Sequence, residues 1–200
     1  MKVFGIILII FTVNFLSAND SSFKVLKEII NKSSYEDYAD YVKNHDITSI
    51  VNHVDDEGLS LLILALSSKA ANINIIKDLL AKGANPNQVC LYNIDRKKFK
   101  QNIFYKGWTS AHIAVSLNRS SDVLDVLLQY NADFFQVDDD NFSAAILAFR
   151  YVRLNSIKWM HNKNLDLKKL SNSKNLIVKN KDQRTNRLFN NYFKRNKIAY

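Results

Sequence analysis

The sequence predicts an all-α protein of stacked helix-turn-helix units, with helical caps at both ends. Three observations lead to that reading. The chain has 200 residues, 47% of them hydrophobic, but only four Gly and one Pro, which is sparse for a loop-rich or all-β design. A turn-cap-helix motif recurs three times in one register. A second motif, marking the end of a further helix, follows each copy.

At the N-terminus, Lys2 precedes an apolar run from Val3 to Val13, and small residues lead to Ala18 before Asn19-Asp20-Ser21-Ser22. This is the layout of a secretory signal peptide over residues 1–18, with cleavage expected after Ala18. The apolar stretch is shorter than the roughly 20 residues a membrane-spanning helix needs, although Leu16 is bulky for a cleavage site. The expectation is export, to a periplasmic or secreted location.

Residues 19–53 read as an N-terminal cap or degenerate repeat. Phe23, Val25, Leu26, Ile29 and Ile30, then Tyr38, Tyr41 and Val42, mark two amphipathic helices. Such a segment would cover the apolar face that the first unit of a stack exposes.

The repeats occupy residues 54–166. Their first motif reads Gly58-Leu59-Ser60-Leu61-Leu62-Ile63-Leu64-Ala65, then Gly107-Trp108-Thr109-Ser110-Ala111-His112-Ile113-Ala114, then Asn141-Phe142-Ser143-Ala144-Ala145-Ile146-Leu147-Ala148. Each copy opens on a residue that tolerates positive φ. Ser or Thr follows two places later to cap a helix, and an apolar run then ends in Ala. Ala65, Ala114 and Ala148 share a register, where a small side chain lets neighbouring helices approach. The second motif is Leu79-Leu80 before Gly83-Ala84-Asn85, Leu127-Leu128 before Asn131-Ala132-Asp133, and Trp159-Met160 before Asn164-Leu165-Asp166. These predict second helices closed by left-handed caps.

The pattern resembles the ankyrin repeat, whose units carry a Gly-x-Thr-Pro-Leu-His segment and, later, Leu-Leu-x-x-Gly-Ala-Asp, and the resemblance implies a solenoid with short β-hairpin-like fingers between its units. The middle unit matches best: Thr109, Ser110, Ala111 and His112 fall on the Thr-Pro-Leu-His positions, with Ser110 in place of Pro and Ala111 in place of Leu. The outer units depart further. The first has two extra residues between Gly58 and Gly83, and about fourteen extra residues lie between Asn87 and Gly107. That insertion, near 93–105, carries Arg96, Lys97, Lys98, Phe99, Lys100, Phe104 and Tyr105, and would lengthen a finger into a basic-aromatic contact element.

Residues 167–200 form a basic C-terminal cap or tail. Leu170, Leu176, Ile177 and Val178 would complete the last unit, and Leu188, Phe189, Tyr192 and Phe193 recur at helical spacing. The net charge of +9 is uneven: residues 150–200 hold 14 Lys+Arg against 2 Asp+Glu, whereas residues 1–149 hold 14 against 17.

Catalytic chemistry finds little foothold. The resemblance gives His112 a structural role, tying a turn through hydrogen bonds. His45, His53 and His161 have no metal-ligand spacing, and the lone Cys90 has no intrachain disulfide partner. Asp55-Asp56-Glu57 and Asp138-Asp139-Asp140 occupy equivalent fingers and lack the calcium-loop pattern, so they read as solvated or partner-facing. No Gly-rich phosphate cradle or nucleophile elbow is present. The expectation is no enzyme, no cofactor, no metal and no small-molecule substrate.

The resemblance implies that a partner protein meets the concave face, where the residue after the turn Gly often contacts ligand. Those residues are Leu59, Trp108 and Phe142, with Tyr105, Lys106, Asp139, Asp140, Arg150 and Tyr151 around them. If the three form an exposed apolar ladder, Trp108→Ala leaves folding intact and weakens binding by about 2 kcal/mol. If each packs against its finger, the ladder is architecture. A second possibility is weak adhesion of the basic tail to an anionic membrane or polyanion.

Overall fold

A computed structural model describes residues 21–32, 34–93, 105–173 and 183–195. The expected signal peptide, the inner insertion with Arg96 to Phe104, and Leu176 to Val178 lie outside the described residues. The described chain is helical. Its only extended pairings are two isolated antiparallel bridges, Val54 with Ser60 and Val137 with Ser143. The chain divides into two compact units, Met1–Asn85 and Pro86–Tyr200.

The first unit contains α1 (residues 21–32), α2 (Tyr35–Asn44), α3 (Leu61–Ser67) and α4 (Ile73–Ala81). Phe23, Leu26 and Ile30 make the buried stripe of α1, while Val25, expected on that face, is exposed because it sits about 140° around the helix from Ile30. Ser34 caps α2 by accepting from the Asp37 N–H. Tyr38 is fully buried, and its hydroxyl donates to Asp78 Oδ2 on α4 at 2.7 Å. Burial, first, and the carboxylate beside it push the Tyr38 phenol far above its ordinary pKa, so it remains a donor. Every residue from Leu61 to Leu66 is buried, which is why α3 is apolar all round. Between Ser60 and α4 the helix pair is closed by contact of α3 with α4, and α2 lies on α4.

The second unit contains α5 (Ser110–Ser116), α6 (Ser121–Gln129), α7 (Ala144–Arg150), α8 (Leu154–Asn162), a 3-10 helix (Leu167–Ser173) and α9 (Gln183–Arg195). Two helix pairs stack here: α5 contacts α6 and α7 contacts α8, while α5 also packs on α7 and α6 on α8. First helices therefore form one layer and second helices another. Ala111, Ala114, Ala145 and Ala148 are fully buried, where their small side chains allow the first-helix layer to close up.

The turn residues follow the sequence expectation. Gly58, Gly107 and Asn141 open the first helices at φ +75°, +86° and +63°, and Gly83, Asn131 and Asn164 end the second at +93°, +64° and +56°. The same paired bonds close α4, α5, α6, α7 and α8. In α6, for example, Asn131 N–H donates to Leu128 O at 3.0 Å and Ala132 N–H to Leu127 O at 2.9 Å. This is the Schellman arrangement, which satisfies carbonyls that a helix end otherwise leaves open. Val152 adopts it at φ +53° between α7 and α8, an unfavourable place for a β-branched residue. The Arg153 N–H to Ala148 O bond of 2.7 Å and the Arg153 guanidinium, donating to Ser116 O at 2.5 Å, hold that turn.

The C-terminal helix α9 packs on α7. Phe189 and Phe193 are fully buried, and Phe149 of α7 meets Phe189, Tyr192 and Phe193 with ring centroids 5.7, 5.4 and 6.1 Å apart. Arg187, Lys194 and Arg195 lie on its exposed side.

Candidate functional site

The site is built on the finger that leads into α7. Asp138 N–H donates to Phe142 O at 2.9 Å, and Asn141 N–H to Asp138 O at 3.0 Å, which closes a tight hairpin tip. The Asp138 carboxylate locks the tip from inside: Oδ1 accepts from the N–H groups of Asp140 and Phe142 at 3.0 and 2.8 Å. Asp55 does the same in the first unit, accepting from Glu57 and Leu59 at 3.0 and 2.8 Å. The reading of these acidic clusters as solvated or partner-facing is therefore corrected for their first members, because each carboxylate replaces water with backbone donors. Asp-x-x-Gly and Asp-x-x-Asn, the spacing of an Asx-type turn before a left-handed residue, is the sequence signal that marks them.

The middle finger is built differently. Cys90 takes the position of Asp55 and Asp138: its N–H donates to Trp108 O at 2.8 Å, and Gly107 N–H donates to Cys90 O at 3.0 Å. The pairing spans Cys90 to Trp108 instead of a four-residue step. Asn93 Oδ1, accepting from Lys106 N–H at 2.8 Å, closes the base of the loop. No comparable carboxylate is available at position 90 to lock it.

His112 joins the two fingers. Its Nδ1 accepts from Thr109 N–H at 3.1 Å, which leaves the proton on Nε2 to donate to Phe142 O at 2.9 Å. Burial holds its pKa below the ordinary histidine value, only partly offset by the Phe142 carbonyl and the Asp138 charge. The ring is fully buried and neutral, a brace between α5 and the third finger. Ser110 is buried too, and its hydroxyl donates to Pro86 O.

Around this frame lies a small groove of about 190 Å³, lined by Tyr105, Trp108, Asp138, Asp140, Phe142, Leu147, Arg150 and Tyr151. Trp108 forms its floor, with the Tyr105 ring 5.1 Å away. The Arg150 guanidinium lies over the Phe142 ring at 4.7 Å, and Tyr151 remains 39% exposed. Burial, the largest influence, raises the Tyr151 pKa, so the phenol enters any contact as a neutral donor and acceptor. Lys106 pairs with Asp139 at 3.1 Å on the exposed rim.

Of the expected contact residues, Tyr105, Trp108, Asp140, Phe142, Arg150 and Tyr151 meet at this groove, and Lys106 and Asp139 pair at the fingers. The apolar ladder needs correction. Trp108 is only 3% exposed and Leu59, in the first unit, is fully buried; Phe142 alone is half-buried. Hairpin closure turns these side chains inward, and for Trp108 the buried carboxylate of Asp138 supplies an acceptor that makes burial of the indole favourable.

Among the described residues, no group of three or more His, Cys, Asp or Glu is arranged to hold a metal ion, and no helix is long and apolar enough to cross a membrane. The sequence matches no protein-family model and no curated protein.

Proposed function

We propose that the chain is an exported, non-catalytic ankyrin-type repeat protein that binds another protein through the groove walled by Tyr105, Phe142, Arg150 and Tyr151. The ankyrin assignment draws on the repeated turn residues, the capped helix pairs, the layered packing of α5 on α7 and α6 on α8, and the His112 brace. Export draws on the N-terminal sequence from Lys2 to Ala18.

The observation that carries the binding assignment is the contrast between frame and rim. Beneath the groove, Asp138, Trp108 and His112 are buried, with Trp108 donating to Asp138 and His112 to Phe142 O, while Tyr151 is exposed and the half-buried Arg150 stands beside it. Aromatic and Arg side chains held on a rigid support are the residue types that anchor protein interfaces at low entropic cost. Mixed charge on the rim favours selection among protein partners over adhesion to a uniformly charged surface.

The test is affinity capture from host extract with residues 19–200, alongside an Arg150→Glu, Tyr151→Ala variant, at moderate and high salt. A protein retained at high salt by the parent and lost by the variant supports the groove. Retention of lipid or nucleic acid alone, released by salt, would instead assign the contact to the basic tail.

A further inference from the structure

The second unit stacks its helices in two layers, and the two layers end differently. In the first-helix layer, α5 packs on α7 and α7 is covered by α9, which buries Phe189 and Phe193 against Phe149. In the second-helix layer, α6 packs on α8. Beyond α8 the described chain supplies no next helix of that layer. Instead α9 meets α8 at its flank, where His161 and the Tyr192 hydroxyl are 2.9 Å apart, and a groove of about 520 Å³ opens between the two helices.

The lining has a definite chemistry. Leu154, 44% exposed, and the half-buried Leu188 give it apolar surface, with the buried Ile157 beneath them. Lys158, His161 and Arg195 give it positive or protonatable groups, Asn162, Asn191 and Tyr192 complete the lining, and no Asp or Glu lies among the lining residues. Lys158 and Arg195 are exposed. Two helices with an apolar trough between them and cations on the borders are complementary to a third helix with one apolar face and acidic edges.

We propose that this groove docks an amphipathic helix of a partner protein that carries Leu-type residues on one face and Asp or Glu beside them, and that the incoming helix takes the next place in the second-helix layer. A second copy of the chain would bring the same cations to the contact and is disfavoured by repulsion. The surface is separate from the finger groove, and binding at one does not require the other.

The probe is a synthetic helix of roughly 16 residues, about four turns, with Leu at i, i+3, i+4 and i+7 positions and Glu on the flanks, set against the same peptide with Lys for Glu. Fluorescence anisotropy with the whole chain is expected to give at least about tenfold tighter binding of the Glu peptide. A Lys158→Glu, Arg195→Glu variant, altered only at exposed side chains, is expected to reverse that preference, and Leu154→Asp to abolish binding of both peptides. Equal binding of the two peptides, binding unaffected by Leu154→Asp, or no binding by a variant and parent that both give native circular dichroism would overturn the proposal. So would uptake of the chain by anionic lipid vesicles that the charge-reversal variant abolishes while neither peptide binds.

Discussion

The Trp108 indole N–H donates to Asp138 Oδ2 at 2.8 Å, linking two fingers of the second unit through a bond that is buried at both ends. The same carboxylate holds its own finger tip through Oδ1. One side chain therefore sets both the shape of the third finger and the position of the groove floor.

Asp138→Ala removes the acceptor of these donors at once and leaves the Trp108 N–H buried without a partner. A loss of about 2–4 kcal/mol is expected, since bonds to charged groups are stronger than neutral ones and the freed donors remain desolvated. Urea unfolding of the second-unit tryptophan signal measures it; a loss below about 1 kcal/mol would mean that water replaces the carboxylate.

For Trp108→Ala, the structure reverses the expectation of intact folding. Truncating a buried indole should cost about 3–5 kcal/mol through lost burial and an unfilled cavity. The surface test of the groove is Tyr151→Ala, which is expected to keep the parent unfolding midpoint. A parent-like midpoint for Trp108→Ala would show that this floor is not part of the packed frame.

Gly107 and Gly83 separate two effects of adding a methyl group. Both have positive φ, +86° and +93°, but a Cβ on Gly107 would meet Asp138 Cα and Asp139 N at 3.0 Å, whereas one on Gly83 meets nothing within 4 Å. Gly83→Ala should cost about 1 kcal/mol from backbone conformation, and Gly107→Ala about 1–3 kcal/mol more, because the third finger must move. Equal midpoints for the two variants would remove the steric part of this account.

The buried neutral His112 predicts an acid-sensitive frame. Its folded pKa lies below the unfolded value, so between the two the unfolded chain binds more protons, and stability falls as pH drops below about 6.5, levelling off beneath the depressed folded value. Denaturation midpoints compared at neutral and mildly acidic pH, before the carboxylates titrate, should decline in the parent. They should be flatter in His112→Asn, and a slope that persists there would assign the sensitivity to another group.

Much of the framework is legible in the residues themselves. A left-handed turn favours Gly or Asn, a helix start favours a short oxygen-bearing side chain, and a buried helix needs apolar residues around its circumference. Gly58, Gly107, Asn141, Ser60, Ser143 and the run from Leu61 to Leu66 therefore announce their roles locally. The aromatic stripe of α9 likewise marks a buried helix face before its target is known.

What local pattern does not encode is which way a side chain turns when its partner lies far along the chain. Trp108 reads equally as an exposed anchor or a buried floor until Asp138, thirty residues on, is brought within 2.8 Å. The acidic finger of Asp138 reads as solvated until its carboxylate is seen closing the turn, and Cys90 has no role until its backbone meets Trp108. The sequence by itself determined the helices, their caps and the register of the repeats, because those follow from interactions within a few residues. Only the tertiary structure decided that Leu59 and Trp108 are core and that Tyr151 faces solvent, because burial depends on which distant groups can satisfy a polar atom once water is gone.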